Sequence, residues 1–353
     1  MTYGHNNSLK GDESVRELLK PLSTFLADDE NTEICINRPG EVFVEARSKW
    51  TRHEVPGATY EAISSLGLAT ATYTKTSFSK DKPILSAQLP DGERLQLVMP
   101  TACEDGTISL TIRKPSMQVR RLADYSDGGF FDHIRPLSND LAPDEFELMQ
   151  LRQSQRYEEF LKRAVALEKV IVVAGATGSG KTTFMRALMQ EVSTRQRVIT
   201  IEDVHELFMP QHPNRVHLFY PAEGGPSAVV TPQSLLRSCL RMKPDRIFLA
   251  ELRGGETFDF INVCSSGHAG SITSCHAGST ELTFERLALM ILQNEKGQKL
   301  PYDVIKRLLY MVVDVVVHVH NDATGLHGRH ITELWYDPWR KRGMSPPSQM
   351  GGG

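Results

Sequence analysis

From Ser14 to Ala27 the apolar residues Val15, Leu18, Leu19, Leu22, Phe25 and Leu26 recur at helical spacing and predict one helix with a single apolar stripe. Such a stripe packs on its own domain or lies against a membrane surface, and the first outcome is the commoner. Alternation then takes over. Glu33 to Asn37 and Glu41 to Glu45 flank Arg38-Pro39-Gly40 and predict a hairpin. A helix is expected over roughly Tyr60 to Thr76. Leu85 to Leu89 and Arg94 to Met99 flank Pro90-Asp91-Gly92, whose Pro presets φ and whose Gly admits φ > 0, so a second hairpin follows. Ile108 to Arg113 supplies a further strand.

Residues 1–115 therefore read as an α+β N-terminal domain. Over 116–143 the periodicity fades and Asp127-Gly128-Gly129, Pro136 and Pro143 accumulate, the signature of a linker. Its length lets the N-terminal domain dock on its own C-terminal partner or on a neighbour's. Within 144–340, Glu145 to Leu167 is helical. Apolar runs then alternate with helical segments: Val170 to Ala174, Val198 to Ile201, Arg246 to Leu249, Ser271 to Ser274 and Val313 to Val319. Continuous Val/Ile runs suit strands covered on both faces, so this part is expected to be α/β with a largely parallel sheet. Residues 341–353 read as a disordered tail.

Composition narrows the classes. A chain of 353 residues, 40% hydrophobic and 24% charged, suits a soluble protein with two cores. With 40 Lys and Arg against 43 Asp and Glu, the net charge of −3 gives no global pull toward nucleic acid or anionic lipid, although a local basic patch stays compatible with it. The apolar stretches Val170 to Ala176 and Leu309 to Val319 fall short of the ~18 residues of a spanning helix. The first residues carry no apolar leader, so a cytoplasmic location is expected. Five cysteines without a CxxC pair support neither a disulfide framework nor a four-cysteine zinc site, and are expected to be reduced and mostly buried.

The chemistry is concentrated in the second part. Gly175, Ala176, Thr177, Gly178, Ser179, Gly180, Lys181 and Thr182, followed by Thr183, satisfy GxxxxGK[ST] between an apolar run and a helical one. Glycines let backbone N–H groups turn inward around phosphates, the helix N-terminus favours the anion, Lys181 reaches the β- and γ-phosphates, and Thr182 ligates Mg²⁺. The expected cofactors are ATP and Mg²⁺. A carboxylate at a neighbouring strand end must hold the metal's water shell or polarise the attacking water, and Glu251 qualifies. Glu202 and Asp203, with Glu206 close behind, end another strand at the equivalent edge. His268 and His276 bracket a short run flanked by glycines, and a histidine near a γ-phosphate can sense it by hydrogen bonding.

These motifs resemble those of the bacterial secretion ATPases. The P-loop, IEDVHEL (Ile201 to Leu207), RMKPDRIFLAELR (Arg241 to Arg253) and SGHAGSITSCHAG (Ser266 to Gly278) occur in that family's order, as its Walker A, Asp box, Walker B and His box. EICINRPGEVFVE, LPDGERLQLVMP and ISLTIRKPS are similar to its N-terminal domain. The likeness spans about Glu33 to Pro338 and is closest to the traffic ATPases of type IV secretion systems. No tetracysteine segment follows the core, which favours type IV over type II. The resemblance implies a RecA-like P-loop domain and a homo-hexameric ring at the cytoplasmic face of the inner membrane, driving substrate transfer or pilus biogenesis. It also implies contacts with a coupling protein, another secretion ATPase and inner-membrane subunits.

Carried over residue by residue, the resemblance makes Lys181 and Thr182 the phosphate and Mg²⁺ residues and Glu202 the water-activating glutamate. Glu251 becomes the Walker B and metal-site glutamate, and His276 the His-box histidine. Arg94 and Arg113 become N-terminal arginines reaching the nucleotide, with a hinge at Lys114-Pro115 able to swing Arg113 over it. Rival readings are a nucleotide-gated docking platform with little turnover, a small-molecule kinase, and a motor acting on nucleic acid.

Overall fold

The computed structural model describes residues 12–116, 119, 121–134, 140–222 and 228–344. The first residues of the chain, Pro136 of the expected linker and the expected tail from residue 345 onward lie outside the described residues.

The segment from Ser14 to Ala27 does not form one helix. Pro21 has no N–H to continue the ladder, and the stretch divides into helices Asp12–Leu18 and Ser23–Ala27 joined by the 3₁₀ turn Lys20–Leu22. Its apolar side still has one destination, with Val15 and Leu22 buried beside Ile34, Ile36 and Leu66. The stripe thus packs on its own domain. Six strands follow: β1 (Asn31–Ile36), β2 (Glu41–Ala46), β3 (Lys49–Glu54), β4 (Ile84–Gln88), β5 (Arg94–Val98) and β6 (Ser109–Arg113). They form one antiparallel sheet in the order β3-β2-β1-β6-β5-β4. Both expected hairpins are present, turning at Gly40 (φ 84°) and Gly92 (φ 99°). Strand β3 was not anticipated because Lys49–Glu54 is exposed at nearly every position and shows no apolar alternation. Charged edge strands of this kind resist unwanted pairing. The helix Tyr60–Tyr73, capped by the Thr59 side chain, packs on the sheet.

The C-terminal half holds β7 (Ile171–Ala174), β8 (Val198–Glu202), β9 (Arg215–Phe219), β10 (Arg246–Leu252), β11 (Ile272–Cys275), β12 (Val315–Asn321) and β13 (Arg329–Tyr336). Their order is β13-β12-β7-β11-β10-β8-β9, parallel except for β13, which runs antiparallel to β12. Val172 and Ala174 face one apolar cluster while Ile171 and Val173 face the other, so helices cover both sides. The expected helix Glu145 to Leu167 is two, Pro143–Gln153 and Tyr157–Ala166, separated where Gln155 takes φ 59°. Lys341 to Met344, read as the start of a tail, are held in place: Lys341 pairs with Asp314 at 2.5 Å and Arg342 with Glu145.

The two halves meet at the N-terminal ends of the parallel strands. Arg197, Asn214 and Asp245, just before β8, β9 and β10, bond Asn37 and Trp50: Arg197 Nη1 donates to Asn37 Oδ1 at 2.7 Å, Asn37 Nδ2 to Asn214 Oδ1 at 3.0 Å, and Trp50 Nε1 to Asp245 Oδ2 at 3.2 Å. Farther along, Phe219 N donates to Ala102 O at 3.0 Å on the outer side of β9. All five cysteines are buried. No helix among the described residues is long and apolar enough to cross a membrane.

Candidate active site

Strand register explains why residues far apart in sequence converge. Ala174 pairs with Cys275 and Cys275 with Leu252, so Gly175, His276 and Glu251 emerge together at the C-terminal ends of β7, β11 and β10. The chain turns at once: a Cβ on Gly175 (φ 158°) would lie 2.3 Å from Val319 O, a contact only glycine avoids. Gly180 (φ 95°) then opens the helix Lys181–Gln190 with no side-chain cap on its first N–H groups. Ser179 Oγ is buried in this loop without a partner.

Lys181 Nζ donates to Ala176 O at 3.0 Å and lies 3.3 Å from His276 Nδ1. Burial pushes its pKa below the ordinary lysine value, an effect opposed by Glu251. Glu251 Oε2 accepts from Arg253 Nε at 2.7 Å, and its Oε1 lies 2.8 Å from His276 Nε2 as a close contact rather than an aligned hydrogen bond. Arg253 also donates to Asp203 Oδ2 at 2.5 Å. Lys181, His276, Glu251, Arg253 and Asp203 thus form one continuous row of polar side chains.

Glu202 stands apart from it. Its side chain is 0% exposed, and it accepts from Thr200 Oγ1 at 2.6 Å and from the N–H groups of Glu206 and Leu207 at 2.8 and 2.7 Å. Burial alone would raise its pKa; His217, Thr200 and the two N–H groups outweigh this and hold it below the usual carboxylate range. The Glu202 oxygens, expected to face the attacking water, are committed to these partners without access to solvent, and they brace the turn after β8. The acid facing the phosphate loop from that turn is the exposed Glu206. It lines a groove of about 380 Å³ with Lys181, Thr182, Arg186, Phe208 and Arg329. Arg186 lies over the Phe208 ring at 5.4 Å, and the Arg329 side chain approaches within 3.1 Å of where a Gly180 Cβ would stand. Sequence reasoning missed Arg186, Phe208 and Arg329, and no motif contains them; Arg329 comes from β13, itself unpredicted.

Arg94 and Arg113 are neighbours across β5 and β6, with Glu33 of β1 on the other side of Arg113 at 3.6 Å. Burial lifts the Glu33 carboxyl to about 7, with Arg113 opposing. These residues share a cavity of about 550 Å³ with Arg241, Lys243 and His268. Lys243 and His268 precede β10 and β11, so the cavity lies at the opposite edge of the sheet from the P-loop, a strand length of roughly 20 Å away. The two arginines are therefore not brought to this chain's own phosphate loop, because the docking of Asn37 and Trp50 holds the N-terminal half at the other edge. His268 is likewise separated from His276.

The family described as "Type II/IV secretion system protein" matches residues 16–321. The chain belongs to that family. It is 62% identical over 334 residues to the type IV secretion system protein VirB11 of Brucella abortus, covering 94% of this chain and 92% of the relative. It is 42% identical to the type IV secretion system protein PtlH of Bordetella pertussis, covering 92% and 95%. A crystal structure of the VirB11 ATPase of Brucella suis in complex with sulphate superposes with a TM-score of 0.89 at 61% identity, over 94% of this chain and 100% of that one. Both relatives are type IV secretion system proteins, and the RecA-like fold with its α+β N-terminal part is that of the Brucella suis ATPase.

Proposed function

We propose that this chain is a Mg²⁺-dependent ATPase that hydrolyses ATP to ADP and phosphate. It works as a homo-hexameric ring on the cytoplasmic face of the inner membrane, powering substrate transfer or pilus biogenesis by a type IV secretion system. The convergence of Lys181, Glu251 and His276 at three neighbouring strand ends carries the reading. The loop fits a nucleotide's phosphates: its first helical N–H groups are uncapped, Ser179 Oγ is buried without a partner, and Gly175 leaves room only for backbone. ATP supplies the phosphoryl group and Mg²⁺ neutralises its charge. Residues Gly175 to Thr183 would hold the phosphates, with Lys181 exchanging Ala176 O for phosphate oxygen, and Thr182 with Glu251 would hold the metal. Glu251, released from Arg253, orients the attacking water, and His276 reports on the phosphate through Lys181.

Residues 1–115 and 144–340 act as two working units joined by 116–143. Arg94 and Arg113, facing away from the P-loop of their own chain, serve the nucleotide of the next copy. A head-to-tail contact that buries one copy's arginine face on another's P-loop face closes into a ring when the rotations between successive copies sum to one full turn without translation. The partners are other copies, a coupling protein, a second secretion ATPase and inner-membrane subunits.

Complementation tests this reading. Lys181→Ala and Arg113→Ala are each expected to lose ATP hydrolysis as pure preparations. Mixed before assembly, they should regain a measurable fraction of wild-type turnover, because some interfaces join an intact P-loop to an intact arginine. Wild-type hydrolysis by Lys181→Ala alone would overturn the P-loop assignment, and absent recovery in demonstrably mixed rings would overturn the shared site. Negligible wild-type turnover with every partner present would favour the docking platform.

A further inference from the structure

Beside β9, on the seam between the two halves, three side chains outside the nucleotide site come together. Glu104 belongs to the loop between β5 and β6, His205 to the turn after β8, and His217 to β9. One potential ligand atom from each lies within 4.8 Å of the other two.

The hydrogen bonding around His217 defines its tautomer. Thr200 Oγ1 gives its only hydrogen to Glu202 Oε1 at 2.6 Å, so toward His217 Nδ1, 2.8 Å away, it can only accept. His217 therefore carries a proton on Nδ1, and the neutral ring presents its lone pair at Nε2. A carboxylate behind a hydroxyl behind an imidazole is the kind of outer support that orients metal-binding histidines and raises their basicity. His205 Nε2 is buried and has no hydrogen-bond partner. Its ring is fixed among those of His217, Phe208 and Phe219 at centroid distances of 4.6, 4.6 and 5.2 Å. An aromatic stack accounts for the ring's position but leaves the buried nitrogen unsatisfied, which costs free energy. The Glu104 carboxylate makes no close ion pair among the described residues and acts on Arg215 only at longer range, so its oxygens are open to a cation.

We propose that Glu104, His205 and His217 form a binding site for a zinc-type transition-metal dication that ties the N-terminal half to the C-terminal half. Two imidazoles and a carboxylate are a ligand set for zinc with a fourth position left to water, whereas Mg²⁺ prefers oxygen ligands alone. Bonds of about 2.0–2.1 Å put tetrahedral ligands roughly 3.3 Å apart, so at most about 1.5 Å of closure is required, within reach of side-chain rotation. Glu104 is half-buried, as is His205, so an ion can enter from solvent. The five cysteines are buried and offer no rival thiolates. Through Thr200 the bound ion would also stiffen Glu202 and the turn it braces. This inference stands independently of the ATPase reading, because its readout is metal binding.

Full-length protein stripped with chelator and titrated with Zn²⁺ should bind one tight equivalent, and Co²⁺ in its place should give the visible absorption of four-coordinate cobalt. Zinc should raise the thermal midpoint. Glu104→Gln and His205→Gln should each weaken binding at least tenfold and remove that rise. The hairpin histidines His320, His327 and His330 form a second imidazole group, with ring centroids 5.7 and 5.9 Å apart. Their combined replacement by Gln should leave the tight equivalent intact. The site is overturned if wild type binds zinc no better than His205→Gln, or if the tight equivalent disappears with the hairpin replacements instead.

Discussion

The two edges of the seven-stranded sheet carry the same kinds of side chain under opposite conditions. At the N-terminal edge Arg197 is 0% exposed: Nε donates to Met242 O at 2.8 Å, Nη1 to Asn37 and Asn214, and the guanidinium lies 5.7 Å from the Trp50 ring centre. At the C-terminal edge Arg253 is half exposed and bridges Glu251 and Asp203, while Lys181 is held by one carbonyl and one imidazole. The glutamates of adjacent strands differ in the same way, Glu202 with its oxygens committed and Glu251 with partners it can exchange. Residue type thus does not separate a structural charge from a reactive one here. What separates them is whether solvent and exchangeable partners reach the group, because a buried ion held by fixed hydrogen bonds loses several kcal/mol if a partner leaves.

The largest test of this contrast is Arg197→Ala. Removing a buried guanidinium strands the Asn37 oxygen, leaves the Asn214 oxygen with Asn37 Nδ2 alone and loosens the seam, so stability should fall by about 3–5 kcal/mol in denaturant titrations. Arg197→Lys should rescue little, since an ammonium cannot reproduce the forked contacts. A loss below 1 kcal/mol would show that the seam is held elsewhere. At the other edge, Glu251→Gln should keep nucleotide affinity within about tenfold while turnover falls by roughly 10²–10³, as expected for a group acting mainly in the transition state. Equal losses in binding and turnover would make Glu251 a ground-state ligand only.

The smallest effect belongs to Glu202→Gln, expected to cost about 1–3 kcal/mol of stability through its lost charged hydrogen bonds. Its folded pKa lies below the unfolded value, so wild type binds fewer protons folded than unfolded. The stabilisation is therefore complete above the ordinary carboxylate range and fades as pH falls through the depressed folded value. The gap between wild type and Glu202→Gln should narrow along the acid limb. Turnover at permissive temperature should drop less than in Glu251→Gln, and the reverse order would restore Glu202 as the activating base.

Much of this was legible in the chain. The P-loop, the strand ahead of it and the helix behind it depend on local rules, and the apolar strands announce themselves because both faces are buried. The strands that went unseen, β3, β9 and β13, are polar or lie at a sheet edge, so no hydrophobic run marks them. With β13 unseen, Arg329 had no reason to be placed beside Gly180. The fate of Glu202 was hidden for another reason: Thr200 and the Glu206 and Leu207 N–H groups are local partners, but His217 comes from β9 and meets it only once β8 and β9 pair. Arg94 and Arg113 were recognisable as a pair, but the side of the sheet they occupy is set by contacts such as Asn37 with Arg197, which are 160 positions apart. Gly270 shows how a local cue can mislead. It lies within the histidine motif, yet its lack of a Cβ makes room for the Arg246 guanidinium, which would otherwise sit 1.7 Å away.

Strand β9 ends the row in the larger sheet, and the outer side of a terminal strand invites pairing by any extended segment that meets it. Here Ala102 takes the Phe219 N–H, Cys103 bridges Leu218, and Val98, Ala102 and Cys103 share one apolar cluster with Val216 and Leu218. The N-terminal half therefore works as a guard on a sticky border. Identical copies gathered around a ring would present that border many times at high local concentration, and each copy arrives with its own already sealed. In such a ring, self-association would thereby be steered away from open-ended strand stacking and left to the faces that close.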